Sequence, residues 1–352
     1  MDVDVFYEQY NMSELEKATE HLFPDWEINF REMFGQIMSG EGVGLFGILG
    51  EQLLHNLAGE WNGLKTIFIT LVLIGIASVI FTNISGVFMQ HQLAECGFYT
   101  SYLIMIIFLV KLSIYVYELT ESTLMLMVDF LRLFLPTYFI TVGVSGGTMT
   151  AIGFYQIFML VVLGIELFLV GVMLPVIGGY LILTVINGIW QEEKLAPMIR
   201  LLKKGIGFTL KALLAFVSGT GMLQAMITPV IDSAKTSVLQ KTVSIIPGIG
   251  DFAGSASGVL LGTAALIKNT VGIVIVILLL LICLLPVMKL FFIMLAMKGA
   301  AAVMGLISDK RMTGCAEGMG DGVTLLLQTM ITAVTFFFVL ISIVAFTGNR
   351  GI

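Results

Sequence analysis

The chain has 352 residues, of which 58% are hydrophobic and 12% are charged, and its mean hydropathy is +1.01. Soluble domains have about 45–50% apolar and about 25% charged residues, so this composition excludes a water-soluble globule. The net charge of −6 excludes a basic surface for nucleic acid. Three scattered cysteines predict neither a disulfide framework nor a metal site. The composition therefore predicts a membrane protein with several spans.

Acidic residues are concentrated at the start of the chain. Residues 1–64 hold 12 of the 24 acidic residues and only two basic ones, whereas the remainder has more basic than acidic residues. Basic residues favour the cytoplasmic side of a membrane, so we expect residues 1–64 to lie outside the cytoplasm. No signal peptide is visible at Met1, because the first apolar run begins near Leu45.

Residues 1–64 are predicted to form short amphipathic helices. Ser13 and Glu16 fit a capping box, and Pro24 ends that first segment. A second apolar stripe follows at helical spacing: Trp26, Phe30, Met33, Phe34 and Ile37. These helices either pack on one another and on the membrane surface or offer a face to a partner protein.

Apolar stretches long enough to cross a bilayer fill the rest of the chain. They are residues 66–88, 98–117, 124–144, 154–190, 205–227, 269–304 and 323–346. Residues 154–190 would make a helix of about 55 Å, too long for one crossing. They are interpreted as a hairpin turning near residues 171–175, or as one span plus an interfacial helix. Residues 269–304 are interpreted as a second hairpin, broken at Pro286. The prediction is an all-α fold with seven to nine crossings.

A count of nine crossings assigns a side of the membrane to each loop. With the N-terminus outside, a loop containing Glu118 and Glu121 falls outside and the basic loop 194–204 falls inside, as basic residues prefer. The loop containing residues 310–311 then falls outside.

An internal repeat is a further hypothesis. A shift of 111 positions aligns Pro136 with Pro247 and Pro175 with Pro286. The predicted organisation is an extracytoplasmic region (1–64), N-terminal spans (65–133), repeat unit A (134–240) and repeat unit B (241–347). Inverted repeats are common in transporters, whose functional site lies between the two halves.

Ionisable residues within the apolar stretches are the first candidates for function. They are Lys111, Asp129, Arg132, Glu166 and Lys211. An unpaired charge in hydrocarbon costs several kcal/mol, so each should face protein, water or an opposite charge. Asp129 and Arg132 are three residues apart and can pair on one helix face. Glu166 is either part of a proton or ion pathway or the buried partner of Lys111 or Lys211.

A segment rich in small residues is the second candidate. It contains Pro247, Gly248, Gly250, Asp251 and Gly254. The apolar run that follows, Val259–Ile267, is too short to cross a bilayer and indicates a re-entrant segment or a helix tucked beneath the bundle. Close helix packing and the lining of a cavity remain alternative roles. No phosphate loop, zinc-protease motif or nucleophile elbow is present, so we expect no enzymatic activity and no cofactor.

Four motifs carry a family resemblance. They are KTVSIIPGIGD (241–251), LIKNTVG (266–272), LICLLP (281–286) and SDKR (308–311). Together they closely resemble the stage III sporulation protein AE family of endospore-forming Firmicutes, over most of residues 65–347. The family has no established catalytic residues to assign to this chain.

The resemblance implies a location and a role. We expect a multi-pass protein of the mother-cell membrane around the forespore, with residues 1–64 in the intermembrane space. Its expected partners are the bilayer, the other stage III A proteins including a separate ATPase, stage II sporulation protein Q indirectly, and further copies of itself. The expected function is a permease-like component of a secretion-like channel that supports late forespore development and sigma-factor activity. The alternatives are a non-conducting scaffold for ring-forming partners and a stand-alone secondary transporter.

Overall fold

The computed structural model describes residue 33, residues 35–37, residue 59 and residues 61–81, 91–144, 148–189, 194–216 and 250–348. Every regular element in these ranges is helical, which confirms the all-α prediction. Most of the predicted amphipathic region lies outside the described residues. From its second stripe, Met33 is buried and Ile37 packs against the core.

The described ranges contain seven helices. They are α1 (Trp61–Phe81), α2 (His91–Val144), α3 (Thr148–Phe168), α4 (Leu174–Asn187), α5 (196–216), α6 (Gly250–Ile307) and α7 (Lys310–Gly348). A π-helical turn, Leu169–Met173, joins α3 to α4 without a break. Five helical stretches in this part of the chain are long and apolar enough to cross a membrane: Trp61–Phe81, Cys96–Pro136, Met159–Asn187, Thr270–Ile307 and Lys310–Ile341.

The ends of several helices meet at one end of the bundle. Tyr102, near the start of α2, donates a hydrogen bond of 3.1 Å to the carbonyl of Val185, near the end of α4. Lys203 in the first half of α5 pairs with Asp321 in the first half of α7. Gly75, near the end of α1, lies against Ser308, which follows α6. This end carries Lys194, Arg200, Lys204, Lys310 and Arg311 and is therefore the basic end of the bundle.

The core is formed by apolar side chains from all of these helices. Among the largest fully buried side chains are Tyr102, Tyr180 and Phe130. The rings of Phe130 and Phe134 stack with their centroids 4.3 Å apart. The buried hydroxyl of Thr120 donates to the carbonyl four residues earlier, so it needs no partner from another helix.

The predicted loop around Glu118 and Glu121 is wrong. Both residues lie inside α2, which continues without interruption to Val144. Glutamate is a good helix former, so two acidic residues in an apolar sequence do not end a helix. The predicted second and third spans are therefore parts of one helix.

The two predicted hairpins are also wrong. The helix continues through residues 171–175, where a π turn directly precedes Pro175. A π turn widens the helix at the place where the proline ring would otherwise meet the carbonyl of residue 171, so the chain need not turn back. Pro286 likewise lies inside α6, whose apolar stretch Thr270–Ile307 is a single helix.

The placement of loops 194–204 and 310–311 on opposite sides is wrong for the same reason. Each predicted hairpin is a single pass, so the order of sides changes along the chain. The ion pair between Lys203 and Asp321 holds the two regions at the same end of the bundle. The count of nine crossings is not confirmed.

The re-entrant segment is not confirmed either. The backbone of Val259–Ile267 continues the helix of α6 and does not turn back before Thr270. The four-part division and the repeat of residues 134–240 in residues 241–347 stay predictions, with both Pro175 and Pro286 inside continuous helical stretches.

Candidate functional site

Arg132 forms the first ion network of the bundle. Its Nη1 donates to Asp129 Oδ1 at 3.3 Å, which confirms the pairing predicted from the spacing of these residues. Its Nη2 donates to Glu166 Oε2 at 2.5 Å, joining α2 to α3. The predicted partners of Glu166, Lys111 and Lys211, are wrong. The packing of α2 against α3 brings Arg132 to Glu166 from 34 residues away.

The remaining predicted candidates are not brought together. Lys111 and Lys211 are exposed, and neither has an ion-pair partner among the described residues. Pro247 and Gly248 lie outside the described residues. Gly250, Asp251 and Gly254 belong to the first turns of α6, and their predicted role in a pathway stays a prediction.

Arg132 offers a direct test of this first network. Arg132→Gln should lower the free energy of unfolding by about 1–3 kcal/mol, because the carboxylate of Glu166, only 24% exposed, loses its charged partner. The matched change Asp129→Asn should cost less than about 0.5 kcal/mol, because Asp129 is 60% exposed. Unfolding in mixed detergent micelles, followed by circular dichroism, measures both. Equal losses would contradict this account.

A second network was missed by the sequence analysis. Asp321 in α7 accepts a hydrogen bond from Lys203 of α5, and its other oxygen lies 3.1 Å from Nζ of Lys298 in α6. The side chain of Asp321 is 16% exposed, whereas the two lysines are about half exposed. Lys203 was predicted to lie in a basic loop, and no role was assigned to Lys298 or Asp321. One carboxylate thus joins three helices.

Glycines in α7 place Asp321 where helices approach closely. A Cβ on Gly318 would lie 2.5 Å from Cγ2 of Thr184, and one on Gly322 would lie 2.2 Å from Cδ2 of Leu181. Because glycine has no side chain, the backbone of α7 can lie directly against side chains of α4. The hydroxyl of Tyr180 donates to the carbonyl of Gly318 at 3.1 Å across the same contact. The spacing of Gly318 and Gly322 is the sequence signal that could have indicated this packing and the acid between them.

Arg311, at the start of α7, lies at the basic end of the bundle. Its guanidinium lies 3.7 Å from the ring centroid of Phe98, and its Nε lies 3.3 Å from Asp309. Asp309 also accepts a hydrogen bond from the backbone N–H of Arg311 and so caps the start of α7. Because one cation packs on the start of α2 and the start of α7, the ends of these helices are fixed together.

An open groove of about 450 Å³ runs between α2 and α4. Its walls are mainly apolar, and Glu118 and Glu121 stand in it as acidic groups. No set of three or more His, Cys, Asp or Glu side chains that could hold a metal ion occurs in the described ranges.

Five helical stretches able to cross a bilayer, with ion pairs between α2 and α3 and between α6 and α7, define a helical membrane protein. A family model described as stage III sporulation protein AE matches residues 28–348, and the chain belongs to that family. Stage III sporulation protein AE of Bacillus subtilis (strain 168) is 21% identical over 306 residues, covering 87% of this chain and 75% of the relative. No solved structure matches the chain. The resemblance found in the sequence motifs is thereby confirmed, and the protein is a membrane protein of sporulation.

Proposed function

We propose that the protein is a permease-like, non-enzymatic component of a channel between mother cell and forespore, through which small molecules pass. The observation that supports this function is the Asp321 network, which joins α5, α6 and α7 and places Lys298 and Asp321 within apolar helical stretches. Charged groups at such positions are expensive, and in membrane proteins they commonly mark substrate or ion pathways. Membership of a sporulation family supports the cellular context.

The proposed orientation places the basic end in the mother-cell cytoplasm. Lys194, Arg200 and Lys204 lie there together with Lys310 and Arg311, as basic residues favour the cytoplasmic side. The start of α1 and the end of α7 then face the opposite side, so residues 1–64 would lie in the intermembrane space. In this orientation residues 310–311 lie on the cytoplasmic side, whereas they were predicted from the sequence to lie outside.

The proposed partners supply what the chain lacks. The sequence has no nucleotide-binding motif, so a separate ATPase among the stage III A proteins would provide the driving force. Stage II sporulation protein Q would join the assembly from the forespore side.

Glu166 provides the test of conduction. If it belongs to the pathway, Glu166→Gln should reduce heat-resistant spores at least tenfold at normal protein level, since the change removes the charge and keeps the shape. Asp129→Asn, on the exposed side of Arg132, is the matched control and should sporulate normally. Normal sporulation of Glu166→Gln with normal protein level would remove Glu166 from the pathway.

A non-conducting scaffold is the second candidate, favoured by the continuous long helices α2 and α6, which suit a rigid platform. Purification of the tagged protein in mild detergent just after engulfment separates the candidates. Recovery with other stage III A proteins in one large particle supports a place in the channel assembly. Recovery without them, as a small particle, supports a stand-alone transporter. If the protein is recovered in the large particle, normal sporulation of Glu166→Gln as well as of Asp129→Asn would favour the scaffold.

A further inference from the structure

The groove between α2 and α4 is an apolar surface with an unbalanced negative charge. Its acidic residues, Glu118 and Glu121, have no ion-pair partner among the described residues. Around them lie Val110, Ile114, Tyr117, Ile182 and Ile186. Both carboxylates lie within the apolar stretch Cys96–Pro136. The groove, termed the acidic groove, therefore favours a cationic and otherwise apolar occupant.

Helix α5 presents a surface of the opposite kind. Leu201, Phe208 and Phe216 are 72%, 74% and 68% exposed, and Lys211 is exposed beside them. The other face of α5 is buried through Ile206. The exposed face, termed the α5 ridge, thus combines large apolar side chains with a cation that has no ion-pair partner in the described part of the chain.

The acidic groove and the α5 ridge lie at the same depth along the bundle. A Cβ on Gly178 would lie 3.6 Å from Cε2 of Tyr117, and a Cβ on Gly322 would contact Cδ2 of Leu181, so each pair lies at about the same level. From Leu181 back to Gly178, α4 leads away from the basic end, and from Tyr117 to Glu121, α2 leads further in the same direction. Glu121 therefore lies about 10 Å further from the basic end than Gly322 does.

Lys211 reaches the same level by an independent path. Lys203 lies level with Asp321 through their ion pair. Eight further residues of α5 carry the chain about 12 Å deeper, to Lys211. Gly322 lies one residue beyond Asp321 in the same direction, so the two depths agree to within about 1 Å.

We propose that the α5 ridge of one copy of this chain docks in the acidic groove of a second copy, with Lys211 between Glu118 and Glu121. The two surfaces are different patches of one chain, so the contact is head-to-tail and generates a ring where its rotation closes. Pairing brings Lys211 to two carboxylates that, like Lys211 itself, have no ion-pair partner among the described residues. This assembly goes beyond the proposed function and does not depend on conduction.

The chemistry favours a second copy over lipid as the occupant. Lipid tails can cover Phe208, Phe216 and the apolar groove walls, but they carry no cation to meet Glu118 and Glu121 at this depth. The α5 ridge supplies both the apolar side chains and the cation.

Charge reversal tests the contact in the full-length protein. Two differently tagged copies are co-expressed, extracted in mild detergent and co-purified, and the native mass is measured. Wild-type copies should co-purify. E118K/E121K paired with itself, and K211E paired with itself, should each show at least a tenfold reduction. E118K/E121K co-expressed with K211E should co-purify again, because each reversed surface then finds an opposite charge. Lys111→Glu, on α2 outside the groove lining, is the control and should assemble as wild type.

Several outcomes would overturn the proposal. These are a monomeric wild-type protein, unchanged self-association of either reversed variant, and folded reversed variants that do not associate with each other. If a reversed variant fails to fold, E118Q/E121Q and K211M replace it. Each should reduce self-association at least threefold, and unchanged association of both would equally overturn the contact.

Discussion

Asp321→Asn should lower the free energy of unfolding by about 2–4 kcal/mol, the largest loss expected of any conservative change in the described helices. The substitution keeps the shape of the side chain and removes the charge that Lys203 and Lys298 share. Removing one partner of a buried ion pair costs about 3–5 kcal/mol, because the other charge is left uncompensated. The loss expected for Asp321→Asn, about 2–4 kcal/mol, is below this range because the two lysines are about half exposed.

The controls for Asp321 come from the same helix and the same network. Glu317→Gln removes an exposed acid one turn earlier in α7 and should change stability by less than about 0.5 kcal/mol. Lys203→Met combined with Asp321→Asn should recover part of the loss, since one uncompensated charge is also removed. Unfolding in mixed micelles with increasing sodium dodecyl sulfate, followed by circular dichroism, measures each variant. An Asp321→Asn protein as stable as Glu317→Gln would refute the structural role of the network.

Gly318→Ala should destabilise the bundle by about 1–3 kcal/mol. The new Cβ would lie 2.5 Å from Cγ2 of Thr184. Thr184 cannot easily turn away, because it is β-branched and its Oγ1 donates to the carbonyl of Tyr180 at 2.8 Å. Separation of α7 from α4 would also stretch the hydrogen bond from Tyr180 to Gly318. Thermal unfolding in detergent, compared with the wild type, measures the loss.

Thr184→Ser provides the matched rescue. It removes the clashing methyl group and keeps the hydroxyl, so Gly318→Ala with Thr184→Ser should recover most of the lost stability. Gly314→Ala, on the same helix with nothing within 4 Å of the new Cβ, should be neutral or stabilising by up to about 1 kcal/mol. Equal losses at Gly314 and Gly318 would show that helix contact is not the cause.

The candidate site was predictable only in its local part. Asp129 and Arg132 pair because residues three apart in a helix share a face, and that spacing is visible in the sequence. The partner of Glu166 and the meeting of Lys203, Lys298 and Asp321 were not predictable in this way. These contacts depend on how far each helix is shifted along its neighbours, which no local spacing records.

The loop at Glu118 and Glu121 and the two hairpins were wrongly predicted because charge and proline were given too much weight as signs of chain reversal. Glu118, Glu121, Pro175 and Pro286 all lie inside continuous helices. In an apolar helical sequence the backbone is satisfied within the helix itself, and a single interruption costs less than exposing a turn to lipid. Errors in the number of passes then reversed the assigned side of residues 310–311.

Composition and local order alone establish a helical membrane protein, and the sequence motifs alone establish the sporulation family, because both depend on residue type and short-range spacing. The tertiary structure alone decides that Lys203 and Lys298 share one carboxylate and that residues 194–204 and 310–311 lie at one end of the bundle. It also decides that Gly318 must remain small. Each of these facts follows from the relative shift of neighbouring helices, and that shift is set by the packing of many side chains together.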